Sequence, residues 1–334
     1  MKRTTIRDVA EAAKVSVGTV SMVLNDSLKV SEFTRQHVLR TIGALGYHRN
    51  PHARSLSQNK SYNIGFIVPD LTNPFYGSMV GTMQNEINDR DNSLLLGITQ
   101  NLIPLEKSVI ERLLRVDVDG LILVPAHTRE QETSHIRALI RQGLPLVFIS
   151  SHYAGLEQGC VMTDLAQGAY LLTRHILGMG RRRIAFTGGY RGPVLTEERI
   201  NGFRRAHVEA GVPVDERRIV EADPVFEGGR EAAARLFEGP EKPDAVISVN
   251  ELVCMGVLSH LHGMGVRVPE DVALAGYDDL LFSAMLETPL TTVRQPLEAM
   301  CARAADMLFR QIAGEEPEAR PVLLPPELVV RAST

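Results

Sequence analysis

Cysteine is scarce in these 334 residues, and long apolar runs are missing altogether. Cys160, Cys254 and Cys301 are odd in number, far apart and flanked by apolar residues, which excludes a disulfide framework and reads as buried free thiols. No apolar stretch approaches the roughly 20 residues that a membrane-spanning helix needs. The opening Met1-Lys2-Arg3-Thr4-Thr5 places no apolar signal segment behind its charges, so the protein is expected in the cytoplasm and off membranes. Catalytic landmarks are absent as well. There is no G-x-S-x-G elbow, no Walker loop and no carboxylate pairing that spacing establishes. His135, His175 and His207 fall in expected helices without Cys, His or carboxylate partners at metal-ligand spacing, so they read as ordinary surface or packed histidines. Gly188-Gly189-Tyr190-Arg191-Gly192 follows a strand but lacks the G-x-G-x-x-G spacing of a dinucleotide loop, which makes it a turn. No catalytic residue, metal or cofactor is expected.

What the chain does have is an uneven distribution of charge. Residues 1–60 hold ten Lys/Arg against four Asp/Glu, an excess of +6, whereas the remainder carries −10 and the whole −4. A basic head on an acidic body suits a polyanionic partner for the head alone, although a solvated basic surface gives the same count. The length suits two or three units rather than one core.

The head reads as three helices. In Thr5 to Ala13 the apolar residues Ile6, Val9, Ala10 and Ala13 share one helical face, and Thr5 with Asp8 three places on is a capping signal. After a turn at Lys14 and Val15, Ser16 can cap a second helix in which Val20, Val23 and Leu24 point inward. Val17, Gly18, Ser21, Met22 and Asn25 share its other face. This is a helix-turn-helix pattern, suited to placing the second helix in a DNA major groove. A third helix starts at Val30-Ser31, buries Val38, Leu39, Ile42 and Leu45, and stops at Gly46. Residues 50–60, polar except for Ala53 and Leu56, are too short to hold a helix unaided and read as a linker that folds on a partner.

From Tyr62 onward, short runs that are apolar on both faces alternate with helical stretches. They are Ile64–Val68, Leu94–Ile98, Gly120–Val124 and Leu146–Ile149, then Ile184–Phe186, Ala245–Ser248 and Val272–Ala275. Such strands belong to parallel sheets covered by helices, and their number suggests two sheets. Ligands of doubly wound sheets bind beyond the carboxyl ends of the strands. The residues there are Asp70, Asn73, Phe75, Tyr76, Gln100, Asn101, Ser150, Asn250, Glu251, Tyr277, Asp278 and Asp279, with Arg199 and Phe226 in other connections. Aromatic planes among Asp, Asn and Arg suit a sugar, whose C–H faces stack and whose hydroxyls take hydrogen bonds. Taken singly, each of these residues reads more readily as a loop cap or turn residue; it is the ensemble that points to a ligand.

These features together resemble the LacI/GalR family of transcription regulators over essentially the whole chain. The likeness is carried by Thr5-Ile6-Arg7-Asp8-Val9-Ala10, Val15-Ser16, Thr19-Val20-Ser21, Val23-Leu24-Asn25, Gly46-Tyr47 and Ala53-Arg54-Ser55-Leu56. It continues in Asn73-Pro74-Phe75-Tyr76, Arg199 with Gly202-Phe203, Gly276-Tyr277-Asp278-Asp279 and Pro289-Leu290-Thr291-Thr292-Val293. The resemblance implies an all-α helix-turn-helix head (1–49), a hinge (50–61) and a periplasmic-binding-protein-like α/β core of two doubly wound parallel-sheet lobes. It assigns 62–160 with 292–320 to one lobe and 161–291 with 321–334 to the other. It further implies a homodimer on near-palindromic operator DNA, controlled by a small effector, a carbohydrate or its derivative, held between the lobes. By the same resemblance Val17, Gly18 and Met22 read bases, and Thr5, Ser16, Thr19, Ser21 and Asn25 contact phosphates. Ala53 and Leu56 enter the minor groove. Asp70, Asn73, Phe75, Tyr76, Ser150, Arg199, Phe226, Asn250 and Asp278 bind the effector.

Three positions depart from the family pattern. Met22 stands where many members place an Arg that bonds a guanine edge, so A·T-rich half-sites are expected. Ser150 replaces a frequent Asp, and Leu195 replaces a small polar residue. The last residues, Leu328 to Thr334, form no apolar heptad tail, so a dimer is expected rather than a tetramer. A corepressor-dependent regulator or activator with a non-sugar ligand would use the same parts. A solute-binding protein would need a signal segment and no head, and a Rossmann-type enzyme would need a phosphate loop.

Overall fold

The computed structural model describes residues 4–24, 27, 29–47, 60–128 and 132–334. Asn25, Ala53, Leu56 and the hinge segment expected at 50–61 therefore lie outside the described residues, apart from Lys60 and Ser61. The chain divides into two compact units, Met1–Ser61 and Tyr62–Thr334.

In the first unit α1 spans Ile6–Ala12, α2 Val17–Leu24 and α3 Glu32–Leu45. Thr5 opens α1 with a full capping box: its Oγ1 accepts from Asp8 N at 3.3 Å, and its own N–H donates to Asp8 Oδ2 at 2.7 Å. Ser31 caps α3, and Gly46 ends it at φ +58°, where a side chain would be strained. The small core consists of Val9, Ala10, Ala13, Val20, Val23 and Val38. Leu39 and Leu45, expected inside, are instead 44% and 38% exposed. Two short helices offer α3 only a narrow contact, which Val38 and Ile42 fill, so Leu39, turned 100° from Val38, faces outward.

The second unit contains two parallel sheets. The first has six strands, β1 (Asn63–Val68), β2 (Ser93–Ile98), β3 (Gly120–Leu123), β4 (Leu146–Ile149), β5 (Cys160–Thr163) and β11 (Val322–Leu324), in the order β11-β5-β4-β3-β1-β2. The second has β6 (Ile184–Thr187), β7 (Ile219–Val220), β8 (Ala245–Ser248) and β9 (Ala273–Ala275), in the order β7-β6-β8-β9. A small antiparallel pair, β10 (Thr292–Arg294) and β12 (Glu327–Val329), joins the chain segments that pass between them.

Helices cover both faces of each sheet, as strands apolar on both sides require. On the first sheet, Ile64, Phe66 and Val68 pack against Met79, Met83 and Ile87 of α4 (Pro74–Asn88) and Met300, Ala304 and Leu308 of α11 (Leu297–Ile312). Its other face meets α5 (Ile103–Arg115) and α6 (Ser134–Arg141). On the second sheet, α7 (Leu165–Gly178) and α8 (Val194–Glu209) take one face, and α9 (Phe226–Phe237) and α10 (Glu251–Gly263) the other. The pair α7–α8 approaches so closely that a Cβ on Gly202 would lie 2.0 Å from the Ala166 carbonyl oxygen.

The lobe boundaries differ from those expected. Residues 161–163 and 322–324 belong to the first sheet, because Phe148 and Ile149 of β4 pair with Cys160 and Val161, and Val161 pairs in turn with Val322. The chain thus leaves the first lobe after Thr163 and returns to it for α11 and a last edge strand, β11. Cys160, Cys254 and Cys301 are all buried and free. Among the described residues no helix is long and apolar enough to cross a membrane.

Candidate DNA interface and ligand cleft

In the head, Ser16 holds the start of α2: its Oγ accepts from Thr19 N at 3.0 Å and shares a hydrogen bond with Thr19 Oγ1 at 2.9 Å. The outward face of that helix carries Val17 and Met22, 41% and 36% exposed, with Gly18 exposed between them. Ser21 and Thr19 are half-buried beside them. A Cβ on Gly18 would meet only Ser16 Oγ, at 3.5 Å, so the helix presents a low, methyl-rich surface at that point. Thr5 Oγ1 donates to Asp8 Oδ2 at 2.8 Å, so it must release Asp8 before it can donate to a phosphate.

In the core, the carboxyl ends of both sheets face a common cleft of about 70 Å³. From the first sheet come Asp70, Asn73, Phe75 and Tyr76 after β1, Asn101 after β2, His127 after β3 and Ser150 after β4. The second sheet contributes Tyr190 after β6, Asn250 after β8 and Asp278 after β9, while Leu195 and Arg199 reach in from α8. The backbone turns sharply at these strand ends. Asn101 (φ +57°), Ser150 (φ +71°) and Asp278 (φ +111°) all sit in the left-handed half of φ space. Non-glycine residues held there cost on the order of 1–3 kcal/mol each and gather at functional sites.

Several side chains are already committed within the wall. Asp70 Oδ1 accepts from Thr72 N, Thr72 Oγ1 and Asn73 N, each at 2.8 Å. Asn73 caps α4 through Phe75 N at 3.0 Å. Asn250 caps α10 through Val253 N at 2.9 Å and donates to the Pro224 carbonyl at 2.9 Å. These residues shape the cleft and have limited bonding capacity left.

Arg199, Asp278 and His127 are less committed. Arg199, 2% exposed, donates to the Leu195 carbonyl at 3.1 Å and lies 4.1 Å above the Tyr277 ring, while its Nε is buried without a partner. Asp278 Oδ1 accepts from Gln295 Nε2 at 2.7 Å, and Gln295 Oε1 accepts from Thr163 Oγ1 at 2.8 Å. Burial pushes the Asp278 carboxyl up to about 7, against the opposing pull of the Arg199 guanidinium. His127 is pushed down to about 4, by burial first and by Arg199 second, so its ring is neutral at neutral pH. The Tyr76 phenol is pushed up by burial and by Asp278.

The structure brings eight of the nine expected effector residues to the cleft. Phe226 is the exception: Pro224 and Val225 line the wall instead. Val225 is extended (φ −128°, ψ 170°), and neighbouring side chains on extended backbone point opposite ways, which turns Phe226 aside at the first position of α9. His127 and Gln295 were not expected. His127 follows β3, but the apolar Val124-Pro125-Ala126 separates it from the strand end. Gln295 follows the crossover strand β10, which carries no long apolar run. His135, which has no partner at close sequence spacing, meets Glu106 Oε1 of α5 at 2.7 Å. Among the described residues no group of three or more His, Cys, Asp or Glu is arranged to hold a metal.

Residues 5–50 match the family model for bacterial regulatory proteins of the lacI family, and residues 173–334 match that for a periplasmic binding protein-like domain. The HTH-type transcriptional regulator DegA of Bacillus subtilis (strain 168) is 32% identical over 332 residues, covering 99% of this chain and 98% of that protein. The structure of the transcriptional regulator CelR in complex with cellobiose is 30% identical, with a TM-score of 0.75 over 99% of this chain and 100% of that one. The lac repressor dimer bound to operator and an anti-inducer shares the fold, with a TM-score of 0.87 at 24% identity over 99% of both chains. These relatives are transcriptional regulators, not enzymes. A helix-turn-helix head followed by a two-lobed core, matched by such relatives from end to end, means that this chain belongs to the LacI family of DNA-binding transcriptional regulators.

Proposed function

We propose that the protein is a repressor that binds a near-palindromic operator as a homodimer and releases it when a small polyhydroxylated effector occupies the core cleft. The observation that carries this reading is the pair of underused buried groups, Arg199 and Asp278, set where the carboxyl ends of two sheets converge. A guanidinium and a carboxyl side by side offer a donor and an acceptor to neighbouring hydroxyls, and Tyr76 and Phe75 add aromatic surface. The cleft is lined from both sheets, so a sugar held there touches both lobes and its binding can favour their closed arrangement. CelR was solved with cellobiose, which supports the same ligand class here. Ser16-Val17, Val23-Leu24, Ser150-Ser151 and Asn250-Glu251 resemble the maltose regulon repressor, a narrower likeness that also points to a sugar.

On the DNA side, Val17, Gly18 and Met22 read base edges in the major groove. Thr5, Ser16, Thr19, Ser21 and Asn25 hold phosphates, and Ala53 and Leu56 act at the minor groove. Closure of the lobes is linked to operator release by the effector's preference for one state, typically about 1–3 kcal/mol of coupling. Titration of the full chain onto an operator chosen from random DNA, with and without a panel of sugars, tests this. At least one sugar should weaken binding by roughly 5- to 150-fold. Tightening would make the ligand a corepressor, and indifference to every sugar would remove the carbohydrate class.

A further inference from the structure

We propose that His127 is a direct contact of the effector and selects a hydroxyl at one position of it, an inference that rests on the cleft being the effector site. The His127 imidazole lines the cleft with only 8% of the residue exposed, and its Nε2 is buried with no hydrogen-bond partner. A buried, unpaired ring nitrogen is unfavourable unless something completes it. In the same cleft, Arg199 Nε is in the same condition.

The surrounding structure holds His127 in place. Its N–H donates to Asn101 Oδ1 at 3.0 Å. The preceding Ala126 N–H donates to both Glu106 Oε2 and Tyr153 Oη at 3.1 Å. Tyr153 Oη in turn donates to the fully buried Glu106 carboxylate at 2.8 Å. These backbone bonds fix where the side chain starts, and its burial limits where the ring can go, so binding loses less freedom. Lys107 pairs with Glu132 and fastens the far end of the same connection to α5.

Ring chemistry sets the partner. With its proton affinity depressed by burial and by Arg199, the imidazole is neutral, with one nitrogen donating and the other accepting. A hydroxyl, which can donate or accept, can serve Nε2 in either tautomer.

The test uses the full-length protein and isothermal titration with D-glucose, D-galactose, D-ribose and cellobiose, followed by the monodeoxy series of whichever binds most tightly. His127→Ala should weaken that sugar by about 10-fold or more, and His127→Gln, which restores a group able to donate or accept, should recover most of the loss. Operator affinity without sugar should stay within about twofold for both variants, which also reports that they fold. One monodeoxy sugar should bind the wild type about 10-fold less well than its parent, yet bind His127→Ala as well as the parent does. If His127→Ala binds like the wild type while Arg199→Ala does not, the cleft stands and this inference falls. Equal losses for every deoxy position would also overturn it. Failure of all four sugars to bind the wild type would overturn the carbohydrate reading and this inference with it.

Discussion

Arg199 Nη2 stops 3.9 Å from Asp278 Oδ1, while the same guanidinium covers the Tyr277 ring at 4.1 Å. The stacking and the Leu195 carbonyl hold the cation, so it approaches the carboxyl without closing a tight bidentate pair. Two buried groups of opposite character, held slightly apart, can both turn to a ligand with little to give up. Arg199→Ala should therefore lower effector affinity on the order of 10- to 100-fold, the value of hydrogen bonds to a charged group. Operator binding by the effector-free protein should be unchanged. Arg199→Lys should rescue little, because an ammonium cannot reproduce the planar stack on Tyr277. Operator titration at rising sugar concentration reads both variants, and a normal response in Arg199→Ala would remove this side chain from the cleft.

Burial of the same carboxyl makes stability depend on pH. The Asp278 carboxyl is raised from its ordinary 3.8 to about 7, chiefly by burial. Below both values the group is protonated, folded or unfolded, and the raised affinity contributes its full benefit relative to the charged form. As pH climbs through 7 the folded state must hold an unfavourable buried charge, and that benefit is lost. The difference amounts to at most about 4 kcal/mol. Asp278→Asn removes the titration with little change of shape. The melting temperature of the wild type, compared with that of Asp278→Asn, should fall between pH 4.5 and pH 8; parallel curves would contradict the raised carboxyl.

Much of this architecture is legible in the sequence, and the omissions have physical causes. β1, β3, β4, β6 and β8 announce themselves because both of their faces are buried, and the polar residues at their ends mark the cleft. β5 and β11 do not, since Cys160–Thr163 offers only Val161 as an aliphatic strand former and β11 is a three-residue edge strand with Leu323 53% exposed. Asp70, Asn73, Ser150, Asn250 and Asp278 follow from the strand-end rule. Arg199 sits on a helix, where no spacing separates it from any other arginine, and only its family context singles it out. His127 is set off from its strand by three apolar residues, and Gln295 depends on a crossover that local sequence does not encode. Glu106, Tyr153 and His135 come from three separate elements, so their network exists only in the folded chain.

That network is itself open to test. Tyr153 Oη lies 2.8 Å from both oxygens of Glu106, which share its one hydrogen, and accepts from Ala126 N, and all three groups are buried. Tyr153→Phe keeps the ring packed edge-on against Phe148 but strips one donor from Glu106 and one acceptor from Ala126. The core should lose about 1–3 kcal/mol, the cost of leaving buried polar groups underbonded. Urea unfolding should report a lower midpoint with an unchanged slope, since the surface exposed on unfolding stays the same. An unchanged midpoint would mean that the network adds nothing to stability.

The operator preference can be decided at Met22. Its side chain is 36% exposed on the outer face of α2, beside Val17 and the bare backbone of Gly18. A thioether and a valine methyl can pack against a thymine methyl but cannot donate to guanine O6 and N7, which an arginine does with two hydrogen bonds. The wild type should therefore select A·T pairs where Met22 meets the groove. Met22→Arg should convert one symmetric pair of positions to G·C, with about 1–3 kcal/mol of discrimination against the other bases. The added cation should also steepen the salt dependence of non-specific binding if it reaches a phosphate. Selection from random duplexes with both proteins gives the two consensus sites side by side. If the wild type already selects G·C at the position that Met22→Arg alters, the apolar reading face does not set this preference.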